Sequence, residues 1–317
     1  MYLKSICLAA LCFLSPHLNA SGLLKLTKRP LTINGCKQTE TRNVLDLALA
    51  NDGYFVVSNG KKKGDLEFTR FGNLILDEDY FIRTNTGEFL LGINKKSDPK
   101  KLSKLKISMS ILPPKATSKV KSIINLPATA ANDEQYSSSS VLYDSIAASH
   151  VLNVEYTKQS LSTWQVEVLV DDIKLSKGSL TFGADGQVIK QEGLSHIQWP
   201  TSYGLNDLKI DLSESTQYAS PFALQAIKGN GYTLGHFLGV WISMSGRINL
   251  VYDNGQGKRL KHCIAIAKFS DPAYLERVED HLYKPTEKSG PPRLHRENSQ
   301  YAVLSGFLEQ EPCLPSL

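Results

Sequence analysis

Between residues 45 and 92 the chain never runs far without meeting a turn. That spacing confines it to short strands joined by hairpins. Residues 45–49, Tyr54–Ser58, 66–70 and 81–83 are apolar, β-branched or alternating runs, separated by Asn51-Asp52-Gly53, Asn59-Gly60 and Gly72-Asn73. Asp-Gly and Asn-Gly pairs serve such turns because both residues tolerate positive φ. The same chemistry recurs downstream. Trp164, Val166, Val168 and Val170 alternate with Gln165 and Glu167, and Leu152, Val154 and Tyr156 alternate with Val151, Asn153 and Glu155. A period of two marks a strand with one buried side. Residues 179–182, the Asp185-Gly186 turn and residues 187–190 form a further hairpin. In the last third Leu238, Val240, Ile242 and Met244 alternate, and residues 248–252 and 260–268 flank Asn254-Gly255. The expected fold class is therefore mainly β with few short helices. One helix start is legible: Asp271 as a cap with Pro272 at the first position, running to about Val278. Residues 281–298 are polar and proline-bearing and read as loop. Residues 93–131 read as a connecting segment with at most short strands; their lysines, from Lys95 to Lys121, read as a solvated face.

With 317 residues, 41% hydrophobic and 21% charged, the chain has material for about two domains. A formal charge of +5 does not call for nucleic acid as a partner. Residues 1–20 have the layout of a secretory signal: Lys4, a short apolar stretch over 6–14, and Leu18-Asn19-Ala20 before Ser21. Its removal would leave Cys36, Cys263 and Cys313, and no later segment reads as a membrane helix. No zinc-protease, phosphate-loop or nucleophile-elbow motif is present, so neither an enzyme nor a cofactor is expected. His262 and Cys263 are sequence neighbours, but adjacent strand residues point to opposite faces and make no dyad.

Three blocks of sequence resemble the bacterial flagellar hook and hook–basal-body rod family. The first holds Asp52-Gly53-Tyr54-Phe55 and Thr69-Arg70-Phe71-Gly72-Asn73, followed by Leu76-Asp77. The second holds Val141-Leu142-Tyr143-Asp144-Ser145 with His150, Thr163-Trp164-Gln165-Val166, and Leu180-Thr181-Phe182 with Asp185-Gly186. The third holds Gly231-Tyr232 with Gly235, then Asp253-Asn254-Gly255, and Ser305-Gly306-Phe307-Leu308-Glu309-Gln310. The resemblance implies a discontinuous D1-like β-domain over residues 31–132 and 226–312, with a D2-like β-domain inserted at 133–225. Its motif positions Asp52, Gly53, Phe55, Arg70, Gly72, Asn73, Tyr143, Asp144, Trp164, Gly186, Gly231, Tyr232, Gly235, Leu308 and Glu309 are expected to determine the fold. Cys36 and Cys313 fall where the family's two chain ends leave D1 together, and are expected either as a disulfide or as two thiols. The family's long terminal helices are not legible here, so the chain is expected to join an assembly rather than line a tube.

The functional expectation is a structural protein of a flagellar hook, basal body or related envelope assembly. Its partners would be hook- or rod-type proteins or further copies of itself. It would be exported by its signal and be periplasmic, flagellum-associated or extracellular. The alternative is an exported module that reuses the hook body to bind an envelope or surface component, supported by the lysine-rich segment.

Overall fold

The computed structural model describes residues 31–33, 36–60, 64–94, 101–199, 207–279, 281–295 and 303–310. Residues 1–20 and Cys313, and with them the expected signal and the expected disulfide, lie outside the described residues. The described chain is almost entirely β-strand, arranged around two separate sets of apolar clusters.

The first body is built by both outer segments of the chain. Its large sheet runs in the order Phe237–Ile242, Arg247–Tyr252, Gly257–Ile264, Phe89–Asn94, Tyr54–Ser58, Glu67–Thr69, Leu282–Lys284 and Glu276–Glu279. Late strands therefore pair with early ones: Cys263 lies opposite Ile93, and Ile266 opposite Phe55. Tyr54–Ser58 is buried along its whole length. Phe55 and Val57 enter one apolar cluster with Leu90, Leu250 and Ile266, while Tyr54 and Val56 enter another with Phe68 and Phe269. A strand covered on both faces reads as a continuous apolar run, as YFVV does here. Each such side chain contributes about 1.5–3 kcal/mol through burial.

The second body is a two-layer β-structure. Gln135–Tyr143, Ser149–Lys158, Thr163–Val170, Ile173–Phe182 and Val188–Glu192 form an antiparallel meander in chain order. Thr163–Val170 alternates strictly, with Trp164, Val166, Val168 and Val170 inside. Facing it is a smaller sheet centred on Lys119–Pro127, which pairs parallel with Lys209–Asp211 and Thr216–Tyr218 and antiparallel with Ala223–Gly229.

Three expectations are corrected. The segment before residue 131 is more than a connection: Lys119–Pro127 is a nine-residue strand whose Val120, Ile124 and Leu126 join the same cluster as Trp164. Alternating lysines disguised its inward face. The second body therefore reaches beyond residues 133–225 on its N-terminal side, and Ala223–Gly229 crosses the other limit. The helix at Pro272 is a single 3-10 turn, Pro272–Tyr274. Asp271 does cap it, accepting from the Ala273 N–H at 3.3 Å. The extended backbone of Leu275 then ends it and leads into the strand Glu276–Glu279. Residues 281–298 include strands as well as loop. Leu282–Lys284 pairs with Glu276–Glu279 and reaches Phe68, and Arg293–His295 pairs with Ile266–Lys268. Three-residue strands show no period of their own; distant partners define them.

Candidate functional site

Arg70 and Glu309, from the first and last motif blocks, meet in the interior of the first body. Arg70 Nε donates to Glu309 Oε2 at 3.1 Å and its Nη2 donates to Oε1, a two-pronged pair whose side chains are 5% and 3% exposed. The remaining guanidinium protons go to the carbonyls of Asn51 at 2.8 Å, Gly53 at 2.9 Å and Leu49 at 3.3 Å. A planar guanidinium suits this fork, which a lysine could not reproduce. The Asn51–Gly53 turn is thereby fastened to the end of the chain. Strand pairing carries the same closure: Val303–Ser305 pairs with Leu47–Leu49, and Phe307–Glu309 with Cys36–Glu40, where Leu308 faces Thr39. Gly72 explains itself sterically, since a Cβ there would lie 1.7 Å from the Leu47 carbonyl oxygen. Leu47 N–H donates to the Gly72 carbonyl, and Asn73 bridges Asp46. Phe55 is core, whereas Asp52 is exposed in its turn.

Gly231, Tyr232 and Gly235 lie in the neck between the bodies. Leu112 and Gly235 exchange backbone hydrogen bonds at 2.9 and 3.0 Å, and Lys115 and Tyr232 exchange two at 2.9 Å. On the side of the second body, Thr117 is buried; its N–H donates to the Tyr143 carbonyl and its hydroxyl accepts from the Tyr143 N–H. A Cβ on Gly231 would stand 2.1 Å from that hydroxyl. The Asn230 amide oxygen accepts from the N–H groups of Ser118 and Lys119. On the other side, Asn254 donates to the Thr233 carbonyl at 2.7 Å and Asp253 accepts from the His236 N–H at 2.7 Å. These two hydrogen bonds hold Asp253-Asn254-Gly255 against the neck.

Asp144 organises the turn after Gln135–Tyr143. Burial pushes its carboxyl up, but the N–H groups of Ala148 and Ile146 and the neighbouring His150 outweigh burial and hold it below its usual range. His150 Nδ1 lies 2.6 Å from Asp171 and its Nε2 lies 3.6 Å from Asp144. Trp164 is fully buried, and its indole N–H donates to Gln217 Oε1 at 2.7 Å. The buried Lys158 amine sits 4.8 Å from the Trp164 ring centroid and donates to Gln217 and to the Leu161 carbonyl. Burial lowers its pKa. Gly186, at φ +75°, packs against Tyr218. Sequence reasoning missed Lys158, Gln217, Thr117 and Asn230, because their partners lie far away in the chain.

Cys263 is buried and its thiol contacts the Ile93 carbonyl at 3.5 Å. Cys36 lies in a strand opposite Ile33. Among the described residues no three His, Cys, Asp or Glu side chains gather to hold a metal ion, and no helix is long and apolar enough to cross a membrane.

The neck and second body, residues 112–232, match the family model described as the flagellar basal body protein FlaE D2 domain. The flagellar hook protein FlgE of Brucella abortus is 25% identical over 283 residues, covering 85% of this chain and 70% of that one. The flagellar hook protein FlgE of Rhizobium meliloti is 24% identical over 292 residues, covering 86% and 71%. Over most of its length the chain is similar to flagellar hook proteins. The crystal structure of Helicobacter pylori flagellar hook protein FlgE2 superposes with a TM-score of 0.70 at 15% identity, covering 86% of this chain and all of that one. That likeness speaks for the fold: a hook-protein body with D1 and D2 parts. Within this chain, the Arg70–Glu309 pair closes the body made by the two outer segments, and the neck motif joins it to the insertion.

Proposed function

We propose that the chain acts as a structural subunit of hook type, with β-domain faces as its working surfaces. The observation that carries this is architectural: two outer segments close on each other across the Arg70–Glu309 pair and hold out an inserted β-body. The two bodies are taken to be a D1-like domain and a D2-like insertion. Its partners are further copies of itself or hook- and rod-type proteins. The segment over residues 1–20 supports delivery through the general secretory route to the periplasm or beyond. The test is deletion of the gene in its own host, with electron microscopy of isolated hook–basal bodies and immunogold labelling of the chain. Altered or missing hooks and gold on the hook or basal body are expected. Normal hooks, normal swimming and label absent from the flagellar base would overturn this reading.

A further inference from the structure

One face of the first body sets an exposed indole beside two exposed cations. The strands Phe237–Ile242, Arg247–Tyr252 and Gly257–Ile264 lie side by side at one end of the large sheet. Val240, Ile242, Ile248 and Leu250 turn one side of them into the core. On the other side exposed Trp241, buried Asn249 and exposed Arg259 stand abreast, in register across all three strands. Trp241 is 51% exposed. Arg259 and Lys261 add positive charge, and none of the three strands contains an Asp or Glu. The nearest acid in sequence, Asp253, is engaged by His236, with Oδ2 2.9 Å from the ring nitrogen. Among the described residues neither Arg259 nor Lys261 makes an ion pair.

An outermost strand with an exposed indole, flanked by cations lacking counter-charges, suits an anionic surface that is apolar just beneath. Tryptophan settles at the headgroup level, and arginine and lysine meet phosphates. We propose that this face docks onto a bilayer rich in anionic phospholipid. The charge of the face selects that partner: a neutral bilayer gives nothing to Arg259 and Lys261. This inference goes beyond hook-type assembly and does not depend on it.

The chain carries its own reporter. Of its three tryptophans, Trp164 and Trp199 are buried at 0% and 4% exposure, so Trp241 alone is free to change environment. The full chain is mixed with vesicles of phosphatidylglycerol and phosphatidylcholine, and separately with pure phosphatidylcholine. Blue-shifted emission and co-sedimentation with the anionic vesicles are expected, both weakening as salt rises. The variant R259Q/K261Q should partition about thirtyfold less, roughly fivefold for each cation removed. Its melting temperature should match the parent, since both side chains are exposed. Trp241→Phe should abolish the emission shift. The proposal is overturned if the chain ignores anionic vesicles at low salt, or binds both compositions alike, or if R259Q/K261Q binds as well as the parent. It also falls if the blue shift appears with rising protein concentration alone, which would make a second copy the occupant. Binding to soluble polyphosphate without binding to vesicles would overturn it as well.

Discussion

Arg70 shows how much one side chain can organise. It satisfies two carbonyls of the Asn51–Gly53 turn and the carboxylate of Glu309, which lies 239 residues away. Breaking a buried pair leaves a charge without a partner, a cost of about 3–5 kcal/mol. Arg70→Ala should therefore lower urea-unfolding stability by that amount, whereas R70M/E309L should recover much of it; equal losses in the two variants would refute the clamp. Asp211 offers a residue-scale test by pH. The Ser213 hydroxyl, then Lys119 with its Nζ at 3.1 Å, hold its carboxyl down at about 2 against an ordinary 3.8. A depressed carboxyl contributes stability that is present above pH 3.8 and is lost as pH falls through about 2. D211N should flatten the acid limb of the stability curve in that window. An unchanged limb would mean the contact adds nothing.

At the scale of elements, the neck is the most tightly specified part. Gly231 lies against Thr117, and its absent Cβ leaves room for the hydroxyl and for the Thr117 backbone, 2.8 Å and 2.9 Å from where a Cβ would sit. Gly231→Ala should cost about 1–3 kcal/mol through overpacking. It should also speed hydrogen exchange at the Lys115 and Tyr232 amides, which pair there. Slow exchange at both amides in the variant would show that the neck tolerates the methyl group. Legibility also varied between elements. Tyr54–Ser58 and Thr163–Val170 could be read directly, because period and turn residues lie within a short window. Lys119–Pro127 could have been read from Val120, Ser122, Ile124 and Leu126, which also alternate, but its lysines drew attention to the solvent side. Leu282–Lys284 and Arg293–His295 carry no local signal at all, and they become strands only against Phe68 and Ile266–Lys268.

For the whole molecule, separate apolar clusters joined through two paired segments suggest separate unfolding. Calorimetry should resolve two transitions. Arg70→Ala should move one of them and D211N near neutral pH the other, because Arg70 lies in the first body and Asp211 in the second. A single transition shifted by both substitutions would show that the bodies unfold as one. What the amino-acid order determined alone was the mainly β character, most hairpins and the glycines and carboxylates of the turns, since these depend on neighbours within a few residues. What only the tertiary structure decided was the meeting of Arg70 with Glu309, the neck held by Thr117 and Asn230, and the row of Trp241, Asn249 and Arg259. Such contacts join residues whose separation along the chain carries no period, and packing alone brings them together.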